Sequence, residues 1–204
     1  MKGHDTTAQH QKKHIAIFAS GTGSNAQKII DHFRGYGIAD VVLVVCNNPL
    51  ARVIEIAKKE NIPVLLIERK KFNEDGYLAE LKEYEIDLIV LAGFLWKIPP
   101  VLIHSYPDTI INIHPALLPK YGGKNMYGNA VHEAVLNSGE TESGITIHFV
   151  DEIYDNGKII FQTKCAVERD DTAASLSNKI HVLEHTHYAA IIEKIVTGVT
   201  QPKP

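Results

Sequence analysis

Asn112 and His114 stand two residues apart in the run Thr109-Ile-Ile-Asn112-Ile-His114, which gives way to the proline-bracketed Pro115-Ala-Leu-Leu-Pro119-Lys120-Tyr121. Strand side chains alternate between faces, so these two polar groups point to the same side. An amide N–H and an imidazole can together hold a carbonyl oxygen as it becomes an oxyanion. An imidazole can also move a proton near neutral pH. No serine or cysteine stands nearby in a nucleophile elbow, so a covalent acyl-enzyme is not suggested and direct transfer between two bound substrates fits better. The same spacing also suits a core histidine bonded to backbone, beside an asparagine that ends a strand.

A second candidate is Gly21-Thr-Gly23-Ser24-Asn25-Ala26, which follows an apolar run. It fits the loose G-x-G-x-x-[GA] dinucleotide pattern and raises the possibility of a nicotinamide-dependent oxidoreductase. That fingerprint also needs an acid about 20 residues further on, at the end of the second strand. Here that strand ends Cys46-Asn47-Asn48, and Asp40 begins it instead. A loop that holds a phosphomonoester on backbone N–H groups at a helix N-terminus is the better reading. A tight turn with Ser24 as N-cap is the plain alternative. Asp155 lies in a glycine-flanked loop. A carboxylate there, if it met His114, would raise the imidazole pKa and orient the ring. An ordinary turn aspartate is the alternative. His181, His185 and His187 offer an i, i+4 pair, but no HExxH-type motif is present and two cysteines are too few for a zinc cluster, so no metal is expected. Glu184 follows an apolar position and could face a cleft and hold an amine.

Alternating strands and helices must position these groups. His14–Ser20, Asp40–Cys46, Val64–Ile67, Asp87–Ala92 and the run from Thr109 read as strands, several of them apolar throughout, as parallel strands covered on both faces are. Between them, helices are expected at about Ala26–Phe33, Leu50–Glu60, Asn73–Tyr84 (with Tyr77, Leu81 and Tyr84 on one face) and Pro100–His104. A helix at about Asn129–Leu136 follows the loop. Gly144–Val150 and Ile159–Val167 read as an antiparallel pair. Asp171 reads as the N-cap of a long last helix with Leu176, Ile180, Leu183, Ile191 and Ile195 on its apolar stripe. The pattern predicts an α/β fold: a single Rossmann-like doubly wound domain with a mainly parallel central sheet, an antiparallel C-terminal strand pair and a long C-terminal helix. Ligands of such sheets sit beyond the strand carboxyl ends, where Ser20-Gly21, Ala92-Gly93 and Asn112–His114 all fall.

Composition narrows the setting. A chain of 204 residues with 45% hydrophobic and 22% charged residues suits one soluble domain, here residues 14–198, between a disordered polar tail (1–13) and a C-terminal tail (199–204). A net charge of -3 offers no sign of nucleic acid binding, and no apolar run is long enough to cross a membrane. Met1–Lys13 has no apolar signal region. Cys46 and Cys165 read as buried free thiols of a reducing, cytoplasmic compartment.

Taken together, Ser20-Gly-Thr-Gly-Ser-Asn25, Leu91-Ala-Gly-Phe94, Ile111–Tyr121, Gly144–Glu152 with Asp155-Asn-Gly157, and Leu183-Glu-His185 resemble the folate-dependent formyltransferases, and among them those acting on glycinamide ribonucleotide in purine synthesis. The likeness runs from His14 to about Ile195. It implies that 10-formyltetrahydrofolate is a co-substrate, with no tightly bound cofactor, and that the partners are small molecules, with the protein a monomer or homodimer. It implies that Gly23, Ser24 and Asn25 hold the nucleotide phosphate and Glu184 its glycinamide end. Asn112 would bond the formyl oxygen. His114 would be the general acid and oxyanion partner, and Asp155 would pair with it and accept a proton from the attacking amine. Leu95, Trp96, Lys97, Ile98 and Glu152, Ile153, Tyr154, Asp155 would line the folate pocket, largely through main-chain contacts. Other formyltetrahydrofolate enzymes are the nearest alternatives; one acting on methionyl-tRNA would be expected to carry a basic surface and a further domain, and a hydrolase a regulatory domain. The chain departs from the family pattern at Leu95-Trp96-Lys97, where many relatives carry an arginine. It departs again at Gly122–Ala130, which is longer than usual and reads as a modified lid or a longer surface loop. No arginine for the folate tail falls at Phe72–Asp75.

Overall fold

The computed structural model describes residues 12–198. The expected tails therefore lie mostly outside the described residues, except that Lys13, assigned to the N-terminal tail, opens the first strand. The elements are β1 (Lys13–Ala19), α1 (Ser24–Phe33), β2 (Ala39–Cys46), α2 (Val53–Lys59), β3 (Val64–Leu66), α3 (Arg69–Asp75), α4 (Leu78–Glu83), β4 (Leu88–Leu91), α5 (Pro100–Ser105), β5 (Ile110–His114), α6 (Asn129–Asn137), β6 (Glu142–Phe149), β7 (Ile159–Ala166) and α7 (Ala173–Val196).

Seven strands form one sheet in the order β3-β2-β1-β4-β5-β6-β7. β1 to β5 run parallel, and β6 and β7 pair antiparallel on the far side. The strand order reverses at β1, and β1 and β4 are the central pair. Their apolar runs have the expected cause. Ile15, Ile17 and Ala19 enter one core with Ile29, Phe33, Ile180 and Ile192, while Ala16 and Phe18 enter the other with Phe72, Leu81 and Leu102. A strand buried on both faces has no polar side to alternate with.

Two local readings change. The single helix expected at Asn73–Tyr84 is two, α3 and α4. Gly76 closes α3 with φ 64°, and Tyr77 follows at φ 56°. The Tyr77 N–H donates to Asp75 Oδ1 (2.7 Å), and the Tyr77 hydroxyl accepts from the Glu68 N–H (2.9 Å), so the break is bonded on both sides. Asp171 is not the N-cap of α7. Thr172 is, in a capping box with Ser175, while Asp171 braces the turn from outside by accepting from Lys179 Nζ (2.6 Å) and the Ser175 hydroxyl (2.7 Å). Cys46 is buried, but Cys165 is only half-buried, because β7 is the edge strand.

α7 crosses the sheet beside the strand ends. Its buried Tyr188 donates its hydroxyl to the Leu91 carbonyl (2.9 Å) at the end of β4, tying helix to sheet. Gly157 makes the close turn between β6 and β7: a Cβ there would lie 1.8 Å from the Phe149 carbonyl oxygen. Gly157→Ala is expected to destabilise the fold by about 2–4 kcal/mol, read as a lowered midpoint in denaturant unfolding. An unchanged midpoint would mean that the turn relaxes without cost.

Candidate active site

The carboxyl ends of β1, β4 and β5 open into a cleft of about 840 Å³, bordered by α7 and by the loops after β5 and β6. This is the crevice expected of a doubly wound sheet. Ser20 joins two of these ends. Its N–H donates to the Gly93 carbonyl (3.1 Å), and its hydroxyl accepts from the Leu95 N–H (3.0 Å).

At one end of the cleft lies the glycine loop. Gly23, not Ser24, is the N-cap of α1, at φ 76°, and a Cβ on it would come within 2.9 Å of Val53 and Ile56. Only glycine lets the loop sit this close to α2. Ser24 is the first helical residue and its side chain caps nothing. The N–H groups of the first turn have no intrahelical partner and face the cleft, a ready anion site. The Asn25 side chain is engaged elsewhere: its Nδ2 donates to Glu184 Oε2 (2.9 Å). Glu184 is 7% exposed. Burial pushes its carboxyl above the usual range, opposed by Asn25 and by His181.

Asn112 and His114 do share a face, and β6 adds two polar side chains opposite them, His148 across from Asn112 and Thr146 across from His114. His148 donates from Nδ1 to the Phe149 carbonyl (2.7 Å), since a carbonyl can only accept. Its Nε2 is then an acceptor for Asn112 Nδ2 (3.1 Å). That bond orients the amide and leaves its second N–H for a bound oxygen. Thr146 holds the loop after β5, donating to the Ala116 carbonyl (2.6 Å) and accepting from the Leu118 N–H (3.0 Å).

His114, 3% exposed, donates from Nε2 to the Tyr121 carbonyl (2.8 Å). Its Nδ1 lies 3.6 Å from Asp155 Oδ2. Asp155 Oδ2 also accepts the Gly123 N–H (2.8 Å), and Oδ1 lies 3.7 Å from His148 Nε2. Asp155 has φ 53°, a left-handed conformation that a non-glycine residue keeps only where its surroundings impose it. The expected meeting of His114 and Asp155 is thus present, and Asp155 acts on the imidazole in the expected upward direction, but burial outweighs it. Burial pulls the His114 pKa below the ordinary imidazole value by more than Asp155 and the Tyr121 bond raise it. For Asp155 burial acts upward, yet His148, the charge of His114 and the Gly123 N–H together hold it below the usual carboxylate range. The resting pair is therefore a neutral imidazole with its Nδ1 lone pair turned to an ionised carboxylate.

The opposite wall is apolar and aromatic. Leu95, Trp96, Lys97 and Ile98 line it, with Ile153, Tyr154 and Asp155 facing them. Phe94 packs edge-on to Phe18 and Phe72 and against Trp96. Glu152 is the exception among the expected wall residues: it does not line the cleft and instead pairs outward with His104 Nε2 (2.9 Å). Residues 122–130 border the cleft through Gly123–Asn129. Several cleft residues were not assigned from the sequence, His148, Arg69, His132 and His181 among them. His148 lay in the strand alternation but carried no role. Arg69, whose guanidinium sits 4.7 Å over the Trp96 ring, gave no signal because it falls before the Phe72–Asp75 stretch. His132 and His181 reach the cleft only through the packing of α6 on α7. Among the described residues no His, Cys, Asp or Glu cluster is placed to hold a metal ion, and no helix is long and apolar enough to cross a membrane.

A doubly wound α/β domain thus carries a glycine loop at a helix start and an Asn–His–Asp group together at its strand ends. The chain belongs to the formyl transferase family, which it matches over residues 13–192. It is 40% identical over 192 residues to the chloroplastic phosphoribosylglycinamide formyltransferase of Arabidopsis thaliana, covering 91% of this chain and 66% of that protein. It is 36% identical over 190 residues to phosphoribosylglycinamide formyltransferase of Bacillus subtilis, covering 90% of this chain and 95% of that one. The chain spans about two thirds of the length of the plant relatives it matches. The solved phosphoribosylglycinamide formyltransferase of Bacillus halodurans superposes with a TM-score of 0.83 at 36% identity, over 92% of this chain and 97% of that one. That of Anaplasma phagocytophilum superposes with 0.84 at 32% identity, over 92% and 89%.

The tautomer assignment is open to measurement. Nitrogen-15 shifts should show His114 neutral with the proton on Nε2 at neutral pH. Asp155→Asn removes a charge that favours the imidazolium, so the His114 titration midpoint should fall further. A midpoint that stays or rises would show that the two groups do not couple.

Proposed function

We propose that the protein transfers the formyl group of 10-formyltetrahydrofolate to the amine of glycinamide ribonucleotide, a step of purine biosynthesis. The observation that carries this reading is the arrangement in one cleft of an anion-binding helix start, a buried Asn–His–Asp group and an aromatic wall. Curated and solved relatives of known name, alike along nearly the whole of this chain, support it.

In this reading the nucleotide phosphate sits on the N–H groups that follow Gly23, with the Ser24 hydroxyl beside it. The Asn25 side chain acts one step back, by holding Glu184 against the nucleotide. The pterin lies along Leu95–Ile98 and residues 153–155. Arg69, whose guanidinium stacks on Trp96, pairs in this reading with a carboxylate on the folate tail.

The amine attacks the formyl carbon, and a C–N bond forms as the carbonyl becomes an oxyanion. The free N–H of Asn112 bonds that oxygen in a site where burial strengthens the interaction. The proton lost by the amine passes to Asp155, directly or through water. That same proton is shared between Asp155 and His114 Nδ1, so an imidazolium forms beside a carboxylate and offsets the oxyanion charge. The intermediate collapses as the bond to the folate nitrogen breaks, and that nitrogen takes the proton from the His114–Asp155 pair. No group needs to become covalently bound. Tyr121 and Gly123 hold the pair in register, so positioning of the two substrates supplies much of the acceleration. No tightly bound cofactor is called for in this scheme. A monomer or homodimer in the cytoplasm, acting without nucleic acid or membrane partners, fits it.

The decisive measurement is formyl transfer from 10-formyltetrahydrofolate to glycinamide ribonucleotide, with methionyl-tRNA and water offered as competing acceptors. Transfer to either competitor in preference to the ribonucleotide would overturn the assignment. His114→Ala should lower kcat by about 10²–10⁴-fold with folate binding nearly intact. Near-normal turnover would remove His114 from the mechanism. Asn25→Ala frees Glu184 and should raise KM for the ribonucleotide while leaving that for the folate unchanged; equal changes in both would argue for general disruption.

A further inference from the structure

His132 is a buried titratable residue that the mechanism above does not use. It stands on α6, between Val131 and Val135, which enter the core, and it is itself 3% exposed. Yet it lines the cleft. Its Nδ1 is fully buried and has no hydrogen-bond partner. A buried N–H without an acceptor is rarer in proteins than an unsatisfied acceptor, so Nδ1 carries the lone pair and the proton resides on Nε2. Nε2 is then the nitrogen left for the cleft. Burial, with the nearby His181 and His114, lowers the ring's pKa, so the donor it offers at neutral pH is uncharged.

Position limits what this donor can meet. His181, one turn before Glu184 on α7, is close enough to influence His132 electrostatically, and so is His114. His132 lines the same cleft as His181 and Glu184 of α7 and as Asn112 and His114 of β5, and α6, which carries it, packs on α7. A substrate with its phosphate on the α1 start and its amine at the formyl carbon spans this cleft with its sugar and its glycinamide arm. Glu184, an acidic group held by Asn25, borders the same cleft and offers an acceptor to the substrate's amine or hydroxyl groups. An uncharged N–H in the same cleft suits a carbonyl oxygen, which can only accept.

We propose that His132 is a substrate-binding residue whose Nε2–H donates to the amide carbonyl oxygen of the glycinamide arm, setting the reach of the amine to the formyl carbon. This rests on the acceptor named above. It predicts selectivity for amines that carry a carbonyl one carbon away, because an acceptor lacking that oxygen would leave the buried N–H unpaired.

The test pairs a variant with an altered substrate. His132→Leu keeps the bulk and removes the donor, and should raise KM for glycinamide ribonucleotide about tenfold, the usual scale of one neutral hydrogen bond, with KM for the folate unchanged. The thioamide analogue of the ribonucleotide, whose sulfur is a poor acceptor, should cost the wild-type protein a similar factor but cost His132→Leu little more. His132→Gln, which places an amide N–H near the Nε2 position, should recover part of the loss. The proposal falls if His132→Leu binds the ribonucleotide as the wild type does. It falls also if the thioamide penalty persists in full in the variant, or if both substrates' KM values rise together. His132→Gln carries the same comparison should the leucine variant not fold. Failure of wild-type transfer to the ribonucleotide would instead overturn the functional reading, and shows separately.

Discussion

The site depends on one register, the antiparallel pairing of β5 with β6. It sets Asn112 opposite His148 and His114 opposite Thr146, so that four polar side chains share one face of an otherwise apolar pair of strands. Strand faces alternate, so a slip of one residue would turn the β5 pair away from the cleft and drive Ile111 and Ile113 toward water. Those isoleucines are buried in the larger core, which makes the correct register the one that hydrophobic packing also favours. Core formation and site assembly are therefore the same event at β5. The polar face can exist there because each member has a partner: His148 bonds the Phe149 carbonyl, Asn112 bonds His148, and Thr146 bonds the loop.

The loop after β5 transmits this register to the chemistry. Thr146 grips it at Ala116 and Leu118, the Tyr121 carbonyl fixes Nε2 of His114, and the Gly123 N–H fixes Asp155. Both His114 and Asp155 thus answer to one stretch three residues long. The same stretch opens into residues 124–127, which border the cleft. A displacement there would be felt at His114 and Asp155 together.

Burial decides the charge of His114, while its partners decide that of Asp155. His114 would be more basic than usual if its neighbour Asp155 alone decided, but withdrawal from water outweighs the carboxylate. The balance leaves a neutral base beside an anion, ready to accept a proton and reluctant to hold one without a developing negative charge nearby. In the proposed reaction this balance would favour the charge distribution of a tetrahedral intermediate over that of the resting state. Glu184 and His132, elsewhere in the cleft, are each pushed by burial toward the uncharged form.

The sequence by itself determined the alternation of strands and helices, the doubly wound architecture, the glycine loop and the shared face of Asn112 and His114. These rest on local periodicities and on the backbone freedom of glycine, which act over a few residues. It also carried the family resemblance, and with it the role expected of Asp155. It did not determine the break at Gly76 and Tyr77, since the tyrosines and Leu81 repeat with helical spacing through a turn that only the Asp75 and Glu68 bonds reveal. Nor did it show that Thr172 rather than Asp171 caps the last helix, since both are good caps and the Ser175 and Lys179 contacts decide. Glu152 looked like part of the folate wall, and its contact with His104 on another element turns it outward. The tertiary structure alone brought His148, His132 and Arg69 to the cleft and made His114 a weaker base. Proximity of elements remote in the chain, and the depth of a group below the surface, are properties of the packed whole and leave no pattern in a short window of residues.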